Sequence, residues 1–278
     1  MARKINHATL MDFVQKLRQA TGGYSATPLL PATIEDTFHA LAINLVLTKL
    51  PSTPQSEPAL TEYLARRLAA PWLRIDTTFR LLTICHVCGL TLDTKRVRSH
   101  LTACLIKDDS LDASYYVSKI AREILETEPQ DFLGFKRPVA LPARYAVDDV
   151  ARYLAVKAMG DQRIEEAENL TEWLQRSQNG DGGFGFFPGT TSFIENSHAA
   201  LAALSLLGAR PVDLANARSF IISSQTGGGG FARSPGAAAF LDASWHGTAS
   251  LRLLEEMERP ASVLPEVSRQ QSWLILSV

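Results

Sequence analysis

Residues 181–209 read DGGFGFFPGTTSFIENSHAALAALSLLGA. A glycine pair and an aromatic lead into a Pro-Gly loop, and an acid-led apolar run follows from Ile194. The same order recurs in TGGGGFARSPGAAAFLDASWHGTASL at 226–251 and in TGGYSATPLLPATIEDTFHAL at 21–41. Self-similarity of this kind marks a repeat architecture, in which units stack to bury a shared core.

The start of the apolar run recurs more often than the glycines. An aliphatic–acid–x–Ser/Thr pattern stands at Ile34, Ile75, Leu111, Ile194 and Leu241, with a weaker copy at Val147. The intervals are 41, 36, 36, 47 and 47 residues. An acid in the first turn suits a helix N-terminus, where free N–H groups and the dipole favour negative charge. The run from His198 to Leu207 is apolar all round, as in a helix buried on every side. Amphipathic segments lie between these runs. Leu10, Phe13, Val14 and Leu17 form one stripe, Val97, His100, Leu101 and Cys104 another, and Ile164, Ala167, Leu170 and Trp173 a third. The pattern predicts an all-α fold: an α/α toroid, or α6-α6 barrel, of about six helix pairs. Inner helices are apolar and outer ones amphipathic. Three prolines between Thr127 and Ala146 leave room there for only a loop and a short helical turn.

Composition bounds the function. The 278 residues suit one domain spanning 1–278, and 46% hydrophobic content excludes disorder. With 28 basic and 29 acidic residues the net charge is −1, which predicts no nucleic-acid partner. No apolar stretch is long enough for a membrane span. Three cysteines and the lack of a secretory pattern at the start point to the cytoplasm.

These repeats resemble the protein prenyltransferase β-subunit and squalene cyclase superfamily. That repeat runs Gln, Gly-Gly-Phe, a Pro-Gly loop, then an acid-led helix. Gln178 before Asp181-Gly182-Gly183-Phe184 and Gln225 before Gly229-Gly230-Phe231 are similar to it. The likeness is specific over 172–254, fair over 13–47 and faint between 60 and 160. It implies a central cavity for an isoprenoid or other apolar small molecule, and a partner subunit. It also implies zinc that activates a thiol. The matching ligand positions are Glu195, Ser197 and either Trp245 or His246, or in another frame Asp242 and Ser244. No cysteine fills either set, and serine is a poor zinc ligand. The cyclases' Asp-x-Asp-Asp motif has no copy either, Asp148-Asp149 being the nearest pair. Zinc therefore stays the candidate cofactor without being favoured.

Two columns in the first helical turns supply candidates. One reads Phe38, Phe79, Tyr115, Ala151, His198, Trp245; the next reads His39, Arg80, Tyr116, Arg152, Ala199, His246. If the inner helices run parallel, the columns ring one mouth of the barrel. The candidates for catalysis are Glu195, His198, Asp242 and His246. Those for substrate binding are Phe38, His39, Phe79, Arg80, Tyr115, Tyr116, Arg152 and Trp245. Helix N-termini with these arginines and histidines suit a polyprenyl diphosphate. A plainer reading makes Glu35–His39, Asp76–Arg80, Asp148–Arg152 and Asp242–His246 helix-bracing i,i+4 pairs. Two functions stay open: an enzyme that transfers or rearranges a prenyl chain, and a non-catalytic isoprenoid-binding or interaction toroid.

Cys85, Cys88, His100 and Cys104 read as C-x2-C-x11-H-x3-C, a zinc-like spacing. On two antiparallel helices the pairs would lie about 15 Å apart at 1.5 Å per residue, so all three cysteines are expected in the core. The apolar tail, with Trp273, Leu274, Ile275 and Leu276, is expected to dock on the barrel or on a partner.

Overall fold

The computed structural model describes residues 5–48, 57–133 and 139–259. The tail from Gln270 lies outside the described residues. The first half of the chain holds α1 (His7–Lys16), α2 (Ile34–Thr48), α3 (Pro58–Ala69), α4 (Ile75–Val87), α5 (Thr94–Lys107) and α6 (Leu111–Lys119). The second holds α7 (Gln130–Leu133), α8 (Val147–Met159), α9 (Ala167–Arg176), α10 (Ile194–Leu206), α11 (Leu214–Ser223) and α12 (Leu241–Glu258). The described residues contain isolated antiparallel bridges and no strands.

Each of the six aliphatic–acid starts is the first residue of an even-numbered helix. These six form a closed inner ring, each packed on the next and α12 packed on α2. The odd-numbered helices alternate with them outside. The expected toroid is what the chain builds, and its inner helices carry the core. In α10, Ile194 and every residue from Asn196 to Leu204 is buried. Outer helices bury only a stripe: Leu10 and Val14 in α1, Val97 and Leu101 in α5, Leu170 and Leu174 in α9. Ile164 precedes α9 rather than joining its stripe. The proline-rich segment gives the four-residue α7, so the fourth outer position in chain order is a single turn.

Capping residues start several of these helices. Asn6 accepts from the Thr9 N–H, Asp93 from Arg96, Ser110 from Ala113 and Asp213 from Asn216. Helix α6 runs on into a π turn, Ile120–Ile124. There buried Lys119 pairs with Glu123 at 2.8 Å and lies over the Phe79 and Tyr115 rings.

The Ser/Thr of the repeated pattern has a structural task. Its hydroxyl accepts the N–H of the aromatic that follows the glycine pair. Thr37 takes Tyr24 at 3.0 Å, Ser197 takes Phe184 at 3.0 Å and Ser244 takes Phe231 at 2.9 Å. The same loop is thus pinned to an inner helix three times. The glutamine before the loop ties one repeat to the next. Gln178 exchanges two hydrogen bonds with the Asp213 backbone, at 2.8 and 2.9 Å. Gln225 makes the equivalent pair with the Asn6 backbone, at 3.2 and 3.3 Å, across 219 residues of sequence. That last clasp joins the two ends of the ring.

The two cysteine pairs stay apart. His100 Nε2 lies 3.2 Å from Thr78 Oγ1 near the start of α4, and 3.4 Å from Cys104 Sγ. Cys85 and Cys88 sit at the far end of α4. Among the described residues no group of three His, Cys, Asp or Glu is arranged to hold a metal ion. Cys85 and Cys88 are buried, whereas Cys104 is only half-buried, which corrects its placement in the core. Burial pushes the Cys85 thiol up to about 12 and the Cys88 thiol up to about 11. Since the thiolate is the reactive form, iodoacetamide at pH 7.5 should label Cys104 first in the folded protein. Mass spectrometry of the modified peptides checks this, and prior labelling of Cys85 would contradict the packing.

Candidate functional site

The first turns of the inner helices converge on one end of the ring and enclose a cavity of about 490 Å³. That volume falls in the range of small-molecule sites. Its wall contains Phe38, Phe79, Tyr116, Trp245, Phe186 and Phe193, and its polar groups are Glu35, His39, Arg80, Asp148, Arg152, Glu195, Asn196, Arg233, Asp242 and His246.

Ten of the twelve candidates from the sequence columns and the resemblance line this space: Glu195, Asp242, His246, Phe38, His39, Phe79, Arg80, Tyr116, Arg152 and Trp245. His198 and Tyr115 do not. Both are fully buried behind the wall. His198 backs the wall, its Nδ1 lying 2.9 Å from the Nδ1 of His246 and its ring edge-on to Trp245. Tyr115 packs edge-on against Tyr116.

Phe186, Phe193, Asn196 and Arg233 were not singled out from the sequence. Phe186, Phe193 and Arg233 lie in the glycine loops, outside the helical columns. Backbone bonds carry these loops over the mouth. The Phe186 carbonyl accepts from the Val147 N–H at 3.1 Å, and the Arg233 carbonyl from the Ile194 N–H at 2.8 Å. Each loop therefore satisfies the N-terminus of the neighbouring inner helix and delivers a side chain to the cavity.

Every arginine on the cavity wall is engaged by carboxylates. Arg80 bridges Asp76 at 3.3 Å and Glu35 at 3.6 Å. Arg152 bridges Asp148 and Asp112, both at 3.0 Å. Arg233 pairs with Glu195. Burial works against the Arg152 charge, but Asp148, Tyr116 and Asp112 outweigh it and raise its pKa. Asp76 is likewise lowered, its burial outweighed by Arg74 and Arg80. Two of the four expected i,i+4 pairs thus form. The two with histidine do not: Glu35 turns to Arg80, and Nδ1 of His246 faces His198.

Both cavity histidines are held neutral. Burial, with Arg80 nearby, brings His39 down to about 3. Burial and then His198, His39 and Arg80 hold His246 well below its usual value. In the unfolded chain each protonates near pH ~6.5. The unfolded state therefore binds more protons below that pH, and stability is lost as pH falls from ~6.5 toward the folded values. The slope is up to ~1.4 kcal/mol per pH unit for each histidine. Asp36, Asp149 and Glu256 are raised, chiefly by burial. They oppose the trend, adding stability as pH falls toward the unfolded carboxylate values. Urea unfolding between pH 7 and 5.5 should show a falling midpoint, flattened by His39→Gln. A level wild-type profile would contradict buried neutral histidines.

The zinc set implied by the resemblance does not fit. Ser197 is 1% exposed, accepts from Phe184 and donates to the Phe193 carbonyl at 2.9 Å. Ser244 is likewise closed, between Phe231 and the Phe240 carbonyl. Glu195 is held by Arg233. The acid pair Asp148-Asp149 does not suit alkene protonation either, because Asp148 pairs with Arg152 and Asp149 accepts the Ala146 N–H at 2.9 Å.

Several large apolar side chains are exposed in the loops of the ring. Leu29, Leu30, Leu73, Phe186, Phe187 and Phe240 are exposed, and all lie in loops that lead into inner helices. No helix among the described residues is long and apolar enough to cross a membrane.

A family model described as the prenyltransferase alpha-alpha toroid domain matches residues 1–71 and 155–276. No curated protein matches the chain. Among solved structures, Candida albicans protein geranylgeranyltransferase-I complexed with GGPP is similar at a TM-score of 0.39 and 12% identity, covering 99% of this chain and 100% of that one. The family match takes in well over half of the sequence, and its gap falls on α4 to α8, where the glycine loops are missing: the chain belongs to the prenyltransferase alpha-alpha toroid family.

Proposed function

We propose that this toroid binds the hydrocarbon chain of an isoprenoid in its central cavity, as a binding protein rather than a zinc-dependent prenyltransferase. The observation that carries the reading is the aromatic part of the wall of a half-open cavity of about 490 Å³ at one end of the ring. Six aromatic side chains line it, Phe186 among them from a glycine loop. Family membership supports an isoprenoid over other apolar molecules. The absence of transfer chemistry follows from the side chains. Serines stand at the ligand positions and are used to pin the loops, and Glu195 is held by Arg233. A partner subunit, which the resemblance implies, would complete this unit rather than supply its missing ligands from the inner helices.

The test is a titration with prenyl alcohols, read by tryptophan fluorescence, since Trp245 stands in the cavity wall. Burial contributes ~0.8 kcal/mol per CH2, and ~1.4 kcal/mol is tenfold in affinity. Farnesol should therefore bind at least tenfold more tightly than geraniol. Trp245→Phe should remove most of the signal change and keep the chain-length preference. Equal, weak affinity for both alcohols would overturn the reading. Steady release of a prenylated or cyclised product from a prenyl diphosphate would overturn its non-catalytic part.

A further inference from the structure

The mouth that ought to receive a diphosphate is built to refuse one. Four carboxylates line the cavity, Glu35, Asp148, Glu195 and Asp242, against three arginines, Arg80, Arg152 and Arg233. Asp76 and Asp112 add two more acids just outside, where they hold Arg80 and Arg152 from the second side. No guanidinium on the wall is left without a carboxylate. The acids also stand at the N-termini of the inner helices, where they offset the positive dipole ends that an anion would otherwise use. A diphosphate entering here would have to strip these pairs and sit among unscreened carboxylates.

An ammonium meets the same three arginines, but Glu35, Asp148 and Glu195 each pair with one of them, which leaves Asp242 as the fourth lining acid. Asp242 makes no ion pair among the described residues. Its Oδ1 accepts only the adjacent Ala243 N–H, at 2.7 Å, and its side chain borders the cavity. One turn further along α12 are Trp245 and His246, both on the same wall. On the adjoining α2, His39, 5% exposed, also lines the cavity, and its buried Nδ1 has no hydrogen-bond partner. Its ring lies 6.4 Å from that of His246. Both imidazoles are neutral and offer lone pairs, not charge. Aromatic faces beneath complete the setting, because a cation within ~6 Å of a ring centroid is attracted to the ring face.

We infer that the head-group end of the cavity selects a protonated amine on the isoprenoid or other apolar chain, with Asp242 as the counter-ion. The inference rests on the proposed binding of such a chain. The ammonium donates to the Asp242 carboxylate and lies over the aromatic wall, while the neutral imidazoles remain as further acceptors. The rim arginines, held by their acids, frame the opening rather than bind the ligand.

Three probes with one tail separate the head from the chain: farnesylamine, farnesol and farnesyl diphosphate, each titrated into the full chain at pH 7. The expected order is amine, then alcohol, then diphosphate, with at least tenfold between the first and the last. Raising salt from 0.05 to 0.5 M should weaken only the amine. Asp242→Asn should bring the amine within about twofold of the alcohol and lower the melting temperature by no more than about 4 °C. Asp213→Asn, outside the cavity lining, should change none of the three. Diphosphate binding tighter than farnesol, and lost with Arg80→Ala, would overturn the inference and leave the isoprenoid reading intact. So would amine and alcohol affinities that are equal in the wild type. Failure of all three probes to bind would overturn the isoprenoid reading itself and the head-group inference with it.

Discussion

Gly229→Ala should lower the melting temperature by at least about 6 °C, the largest loss expected from a single methyl group in this chain. Gly229 has φ +98°, a region that costs a non-glycine residue about 1–3 kcal/mol. The new Cβ would also fall 2.0 Å from the Thr9 carbonyl oxygen. That oxygen belongs to the backbone of α1 and cannot rotate away, so the loop and the helix must separate. Together these effects should exceed ~3 kcal/mol, or roughly 2–4 °C each for a chain of this size. Gly182 and Gly22 approach the backbones of Asn216 and Ala59 equally closely, so either substitution should act the same way. Gly228→Ala is the control. Its nearest neighbour would be 3.8 Å away and its φ is not positive, so the melting temperature should move by no more than about 1 °C. Calorimetry decides. A Gly229→Ala protein that melts like the wild type would mean the loop does not sit on α1.

Trp245→Ala is expected to be nearly as costly and to damage the site as well. The side chain is 1% exposed and among the largest fully buried ones. It stands edge-on to Phe38 at 6.3 Å and to His198 at 6.0 Å, so it joins α12 to α2 and α10. Truncating a buried tryptophan costs about 3–5 kcal/mol, depending on how far the surroundings collapse. Inner helices held on both flanks collapse little, which places this site toward the upper end. The lost ring also opens the cavity. Denaturant unfolding should show the stability loss, and farnesol affinity should fall by at least tenfold. Trp245→Phe keeps an aromatic at the position and should recover most of the stability. A Trp245→Ala protein with wild-type stability would mean that the ring does not bridge the helices.

The fold was legible because its signals are periodic and local. An acid behind an aliphatic residue starts a helix wherever the chain stands, so the six starts could be read to the residue. The columns three and four residues further on then had to share a face, which is why Phe38, Phe79, Arg80, Arg152, Trp245 and His246 were found. Arg233 and Phe186 were missed because their placement depends on a loop crossing to the next repeat. That crossing is set by hydrogen bonds to Ile194 and Val147, which no local pattern announces. His198 and Tyr115 show the other limit. Column membership fixes the turn of the helix and not the last rotation that separates wall from core. The Ser/Thr of the pattern was visible throughout, but its task emerged only with the partner N–H groups of Tyr24, Phe184 and Phe231. The charge balance of the mouth was also foreshadowed, since acids at every helix start were there to be counted. Which arginine each acid takes required the three-dimensional neighbours.

The closure of the ring through α12 has a bearing on how the protein is made. Helix α2 leaves the ribosome before α12, yet α12 covers one of its apolar flanks. Some 200 residues separate the two, which at ~5–20 residues per second is roughly 10–40 s of translation. Throughout that interval the nascent chain carries an uncovered apolar helix, and the Gln225–Asn6 clasp cannot form. The incomplete ring is therefore a natural client for chaperones that hold hydrophobic segments.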